Sequence, residues 1–175
     1  LRKILIDAKK RKEKGSKLST LQLDKDMPLK GKFLIQMFEK PSLRTRLSFY
    51  LAIKQLGGGT ITLRSNELHL GEGGESLEDT AKILSTYADG FILRTDKDDK
   101  VDNFKKHLSI PIINGLSPSS HPTQVLSDMF TVEEIKKKPI SKLIITWIGD
   151  SNNVLNSLLA ASVKFSFKLN IGCPK

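Results

Sequence analysis

Apolar and polar positions along this chain switch repeatedly between a helical and an extended period. From Leu1 to Lys14, Leu1, Ile4, Leu5 and Ala8 share one stripe among lysines, which predicts a helix. The run KGKFLIQMF (Lys30 to Phe38) is almost unbroken apolar sequence and predicts a buried strand. PSLRTRLSFYLAIKQLGGG then predicts a helix that stops at Gly57, and TITLRS (Thr60 to Ser65) a strand. A glycine-rich loop spans Asn66 to Ser76. Ser76 with Asp79 three residues on signals a capped helix start, and the helix is expected to reach Asp89. GFILRT (Gly90 to Thr95) predicts a strand, Val101 to His107 a short helix, and IPIINGL (Ile110 to Leu116) another strand. After the loop SPSSHPTQ a helix is expected from about Thr123 to Lys136, broken by KPIS. KLIITWIGD (Lys142 to Asp150), a helix from Asn153 to about Phe165, and KLNIGCP (Lys168 to Pro174) complete the alternation.

Strands that alternate with helices and are apolar on both faces predict an α/β fold, a parallel sheet flanked by helices on both faces. No internal repeat is visible. KKKPIS marks an expected boundary near Pro139, giving domains 1–138 and 139–175. The second segment holds one strand, one helix and one strand, too little to close a core by itself. It reads as the start of a second, Rossmann-like α/β domain, and the chain as a fragment that stops inside that domain.

Composition changes this picture little. An apolar fraction of 38% suffices for a buried core. No run of about 18 apolar residues predicts a membrane span. The opening LRKILIDAKKRKEKG is a basic helical pattern rather than a signal peptide. The single Cys173 excludes a disulfide framework within the chain and suits a reducing, cytoplasmic setting. The net charge of +10 raises the question of an anionic partner. Its lysines, such as Lys9, Lys10, Lys136 and Lys137, fall on helix faces and turns without interleaved aromatics. A solvated surface is therefore expected rather than a nucleic-acid face.

Candidate chemistry collects where a parallel sheet binds ligands, at the carboxyl ends of its strands. Four stretches fall there: SLRTR after the first strand, Arg94 ending GFILR, SSHPTQ after IPIINGL, and GDSNN after KLIITWIGD. A helix N-terminus already carries partial positive charge and unpaired N–H groups. Arg44 and Arg46 placed there are unfavourable until an anion arrives, so Ser42, Arg44 and Thr45 form a candidate phosphate pocket. Each stretch also has a plainer reading. SLRTR could be a cap with solvated arginines, Arg94 could pair with Asp96 or Asp98, and His121 could be a turn residue. GDSNN lacks the glycine spacing of a dinucleotide or P-loop site. His69, His107, His121 and Cys173 show no metal-ligand spacing, so neither metal nor cofactor is expected.

The pair SLRTR (Ser42 to Arg46) and HPTQ (His121 to Gln124) resembles the transcarbamoylases, over essentially the whole chain. GDSNNVLNS (Gly149 to Ser157) and ESLEDTAKILSTYADGFILRT (Glu75 to Thr95) resemble the ornithine branch of that family. The resemblance implies a homotrimeric cytoplasmic enzyme of arginine metabolism that transfers the carbamoyl group of carbamoyl phosphate to the δ-amine of ornithine, giving citrulline and phosphate. It implies that Ser42, Leu43, Arg44 and Thr45 hold the phosphate and that Arg94 bridges phosphate and carbonyl oxygen. His121 would bind that oxygen and Gln124 the carbamoyl nitrogen, with Pro122 and Thr123 in the same motif. Arg44, Thr45, Arg94 and His121 are the implied catalytic set, and Asn153, with Asn152 beside it, would bind ornithine. The family's loop after the second strand offers a Gln to a neighbouring subunit; here His69 stands in its place. The family's later amine-binding motifs have no counterpart before Lys175, so the fragment is expected to be inactive. An acceptor other than ornithine (aspartate, putrescine or an acylated ornithine) stays open, as do a non-catalytic anion-binding module, a nucleic-acid binder, and biosynthetic against catabolic use.

Overall fold

The computed structural model describes residues 1–15, 19, 22–64 and 74–174. It divides into two compact units, one formed by Gly15–Ser117 and the other by Leu1–Lys14 with Pro118–Lys175.

The unit Gly15–Ser117 is a four-stranded sheet with helices between its strands. Its elements are β1 (Phe33–Phe38), α2 (Leu43–Gln55), β2 (Gly59–Arg64), α3 (Leu77–Tyr87), β3 (Gly90–Arg94), α4 (Asp98–His107) and β4 (Ile112–Leu116). The helix before them, α1 (Arg2–Gly15), belongs almost entirely to the other unit. The strand order is β2-β1-β3-β4 and every pair is parallel. This is the expected α/β architecture. β1 begins three residues later than the apolar run suggests, because Met27 to Lys32 fold into consecutive turns with Gly31 at φ +74°. α4 begins three residues earlier than Val101, since Asp98 and Asp99 suit the positive end of a helix. The glycine triplet after α2 has two uses. Gly57 takes φ +85°, and a Cβ on Gly59 would sit 2.8 Å from the Phe33 ring.

The connections explain where a site can form. The step from β1 to β2 runs toward one edge, and the step from β2 past β1 to β3 runs toward the other. Right-handed crossovers therefore put α2 on one face and α3 and α4 on the other. The packing agrees: Met37, Phe91, Leu93, Ala81, Leu84 and Phe104 form one buried cluster that includes α3 and α4 but no α2 residue. The connections out of β1 and β3 thus leave for opposite faces. These two neighbouring strands open a crevice at their carboxyl ends, the topological switch point.

The other unit is built from α1, α5 (Pro122–Lys136), a 3₁₀ turn (Ile140–Lys142), β5 (Ile144–Ile148), α6 (Asn153–Phe165) and β6 (Lys168–Gly172). β5 and β6 form a two-stranded parallel sheet. The segment after Lys142 is too short for a core of its own, yet a core forms. Leu5 of α1 and Val125 and Met129 of α5 join Ile140, Leu158, Ala161, Phe165 and Phe167, with Ile145 and Trp147 packed against them. The opposite face of β5 is open, with Ile148 at 85% exposure and Ile144 at 65%. Among the described residues no helix is long and apolar enough to cross a membrane.

Candidate active site

At the carboxyl end of β1 the chain turns through Lys40 and Pro41 into α2. Ser42 is the N-cap with extended backbone (φ −156°, ψ 104°), but its hydroxyl makes no capping bond to the helix. The first turn contains no acidic residue. The leading N–H groups of α2, at Leu43, Arg44 and Thr45, have no partner within the helix. Arg44 is exposed and Thr45 half-buried at that end.

Arg94 ends β3, the strand beside β1, and its Nη1 donates to Thr45 Oγ1 at 3.3 Å. Among the described residues its buried Nε has no hydrogen-bond partner. Burial lowers its pKa from the ordinary arginine value, though the group stays protonated near neutrality. Among the described residues no carboxylate pairs with it, so the plainer pairing with Asp96 or Asp98 does not form. Thr45 and Arg94, 49 residues apart, therefore meet at the switch point, beside the start of α2 where the N-cap side chain satisfies none of the leading N–H groups. A cavity of about 270 Å³ adjoins this point, lined by Ser42, Lys40, Arg46 and Arg64 among others.

Sequence reasoning missed the residue that fixes this crevice. Glu39, the first residue after β1, is nearly buried and holds both strand ends. Its amide donates to Arg94 O at 3.0 Å. Its carboxylate accepts from Thr95 Oγ1 at 2.5 Å and pairs with Lys100 of α4. The signal was a carboxylate directly at the end of an apolar strand, where a solvated reading is natural but burial is the outcome.

The remaining candidates lie on the other unit. His121 is the N-cap of α5 and Pro122 its first residue, where a missing N–H is harmless. Thr123 Oγ1 lies 3.4 Å from His121 Nδ1, and Gln124 Nε2 donates to Asp128 Oδ1 at 2.9 Å. Asn152 caps α6, its Oδ1 accepting from Val154 N and Leu155 N at 2.9 and 3.2 Å. That oxygen is committed to the fold, which leaves Asn153, the first helical residue, as the better candidate of the pair. The turn before them is steadied by Trp147, whose Nε1 lies 3.3 Å from the carbonyls of Gly149 and Asp150. The structure thus brings Thr45 and Arg94 together on one unit, and His121, Thr123 and Asn153 onto neighbouring helix starts of the other. His69 lies outside the described residues.

Comparison with known proteins decides the family. Residues 1–134 match the family model described as aspartate/ornithine carbamoyltransferase, carbamoyl-P binding domain. The chain belongs to this family. It is 44% identical over 152 residues to an ornithine carbamoyltransferase of Mesorhizobium japonicum, covering 87% of this chain and 50% of that protein. It is 42% identical over 175 residues to that of Brucella ovis, covering 100% of this chain and 54% of the relative. Among solved structures, ornithine carbamoyltransferase from Thermus thermophilus superposes with a TM-score of 0.85 at 34% identity, covering 98% of this chain and 56% of that one. The Pyrococcus furiosus enzyme also gives 0.85, at 38% identity, covering 98% and 52%. The chain spans about half the length of the curated relatives it matches.

Proposed function

We propose that this chain is the carbamoyl-phosphate-binding part (residues 1–138) and the start of the amine-binding part (139–175) of an ornithine carbamoyltransferase. The observation that carries this reading is the Arg94–Thr45 contact at the switch point, with unmet donors at the start of α2. Phosphate is the anion that suits them: it accepts from helix N–H groups and from guanidinium together. Ser42, Leu43, Arg44 and Thr45 hold the phosphate, and Arg94 reaches from it to the carbonyl oxygen. On the other unit His121 polarises that oxygen, Gln124 binds the carbamoyl nitrogen, Pro122 and Thr123 set the turn, and Asn153 takes the amino-acid end of ornithine.

The uncharged δ-amine attacks the carbonyl carbon. The C–N bond forms, the carbonyl electrons move onto oxygen, and Arg94, Thr45 and His121 stabilise the oxyanion. The carbonyl then re-forms as the C–O bond to phosphate breaks, the extra proton on the amine nitrogen passes to the departing phosphate, and citrulline and phosphate leave. Catalysis is positioning plus electrostatics. The setting we propose is arginine biosynthesis in the cytoplasm by a homotrimer, with His69 reaching a neighbouring subunit's site. The 175 residues alone are expected to give no citrulline.

Calorimetric titration tests the anion site in this chain. Carbamoyl phosphate binds, and Arg44→Ala weakens it by about 1.5–3 kcal/mol, the range for hydrogen bonds to charged groups. Affinity unchanged by Arg44→Ala would remove the pocket. Steady-state assays of the full encoded chain with ornithine, aspartate, putrescine and an acylated ornithine decide the acceptor; a preference for any but ornithine would overturn this reading.

A further inference from the structure

One buried hydroxyl joins the two helix starts that carry His121 and Asn153. Ser157, in the second turn of α6, is only 7% exposed. Its Oγ donates to Asn153 O at 2.8 Å, the usual back-bond of a helical serine. A hydroxyl has one proton and two lone pairs, so with its proton placed on Asn153 the oxygen can only accept elsewhere. It accepts the His121 N–H at 2.7 Å, and Ser120 Oγ lies 3.4 Å away. The neighbouring Asn156 adds a second hold, its Nδ2 donating to Ser119 O at 3.3 Å. Two consecutive side chains of α6 therefore grip the loop 119–121 that leads into α5.

This arrangement is more than helix packing. The His121 N–H belongs to an N-cap residue and has no role in the α5 ladder, so Ser157 satisfies a donor the helix leaves over. The same atom fixes the carbonyl of Asn153, the first residue of α6. One oxygen thus links the first carbonyl of α6 to the backbone N–H of His121.

We propose that Ser157 is a positioning residue, which sets His121 against the amine-binding start of α6 so that acceptor seated at Asn153 aligns the imidazole with the carbamoyl oxygen. The inference rests on the substrate roles of His121 and Asn153 proposed above. It assigns no contact between Ser157 and substrate.

The test uses the full encoded chain with Ser157→Ala, which removes the oxygen while keeping a good helix former, and Ser157→Thr, which keeps a hydroxyl. Ser157→Ala lowers kcat for ornithine carbamoylation by roughly 10- to 100-fold, the scale for a catalytic group displaced by an ångström or less. Ornithine KM rises, phosphate affinity at α2 is unchanged, and Ser157→Thr restores most of kcat. Wild-type kcat in Ser157→Ala overturns the proposal. So does a loss that follows unfolding in urea and is not restored by threonine. If the wild-type chain forms no citrulline, the functional reading has failed, and the joint is judged by amide exchange at His121. Exchange about tenfold faster in Ser157→Ala and normal in Ser157→Thr upholds the joint, as expected for one lost hydrogen bond; unchanged exchange overturns it.

Discussion

Glu39 shows how one side chain can join strand ends that lie far apart in sequence. Its carboxylate faces Lys100 and Thr95, and its amide holds the last carbonyl of β3. The Glu39 side chain is 8% exposed and that of Lys100 23%, so solvent screens the pair only in part. Glu39→Ala leaves an ammonium and a hydroxyl beside a vacated space. It should destabilise the protein by about 2–3 kcal/mol, below the full range for a buried pair because Lys100 reaches water. Adding Lys100→Met removes the stranded charge. A double-mutant cycle by urea unfolding should show the double variant losing less than the sum of the single ones, with a coupling of at least about 1 kcal/mol. Additive losses would mean that the two groups are independent.

Element boundaries here follow local chemistry wherever a side chain meets its own backbone. Ser76 caps α3 as its spacing predicts: Asp79 N donates to Ser76 Oγ at 3.0 Å, and the hydroxyl donates to Asp79 Oδ2 at 2.6 Å. Asp89, between α3 and β3, does a different task. Its carboxylate accepts from Lys32 Nζ at 2.7 Å and from Phe33 N at 2.9 Å, tying the start of β1 to the approach to β3. The Lys32 hydrogen bond, then that of Phe33, holds its pKa below the ordinary aspartate value of 3.8. A carboxylate with a folded pKa below its unfolded one stabilises fully above the unfolded value and loses that contribution as pH falls through the folded pKa. Urea unfolding from pH 5 downward should show wild-type stability falling more steeply than that of Asp89→Asn. Parallel curves would show that this junction contributes nothing through its charge.

For the whole molecule the telling feature is two apolar clusters without a common residue. Phe104, fully buried and 5.1 Å from the Phe91 ring centroid, serves one; Leu158 serves the other. Phe104→Ala should cost about 3–5 kcal/mol and Leu158→Ala about 2–5 kcal/mol. Amide exchange by mass spectrometry should localise each loss. Phe104→Ala should speed exchange in β1, β3, α3 and α4, and Leu158→Ala in α1, α5 and α6. Identical, chain-wide acceleration in both variants would make the chain one cooperative unit.

The sequence by itself determined the succession of strands and helices, the α/β class and the gathering of cations at the start of α2. Each of these is written in neighbouring residues: unbroken apolar runs, capping serines, glycines after helices, and cations at a helix start. The resemblance to the transcarbamoylases was legible for the same reason, since SLRTR and HPTQ are each an unbroken run of neighbouring residues. Tertiary structure alone decided strand order, and with it the switch point that puts Arg94 against Thr45. It decided that α1 and α5 close a core with β5 and α6, because an amphipathic face does not name its partner. It also decided that Glu39 is buried on Lys100, 61 residues away, and that Ser157 serves His121, 36 residues away. A carboxylate after a strand or a serine in a helix looks the same in sequence whether it meets water or a distant donor. Only packing removes the water and makes that partner necessary.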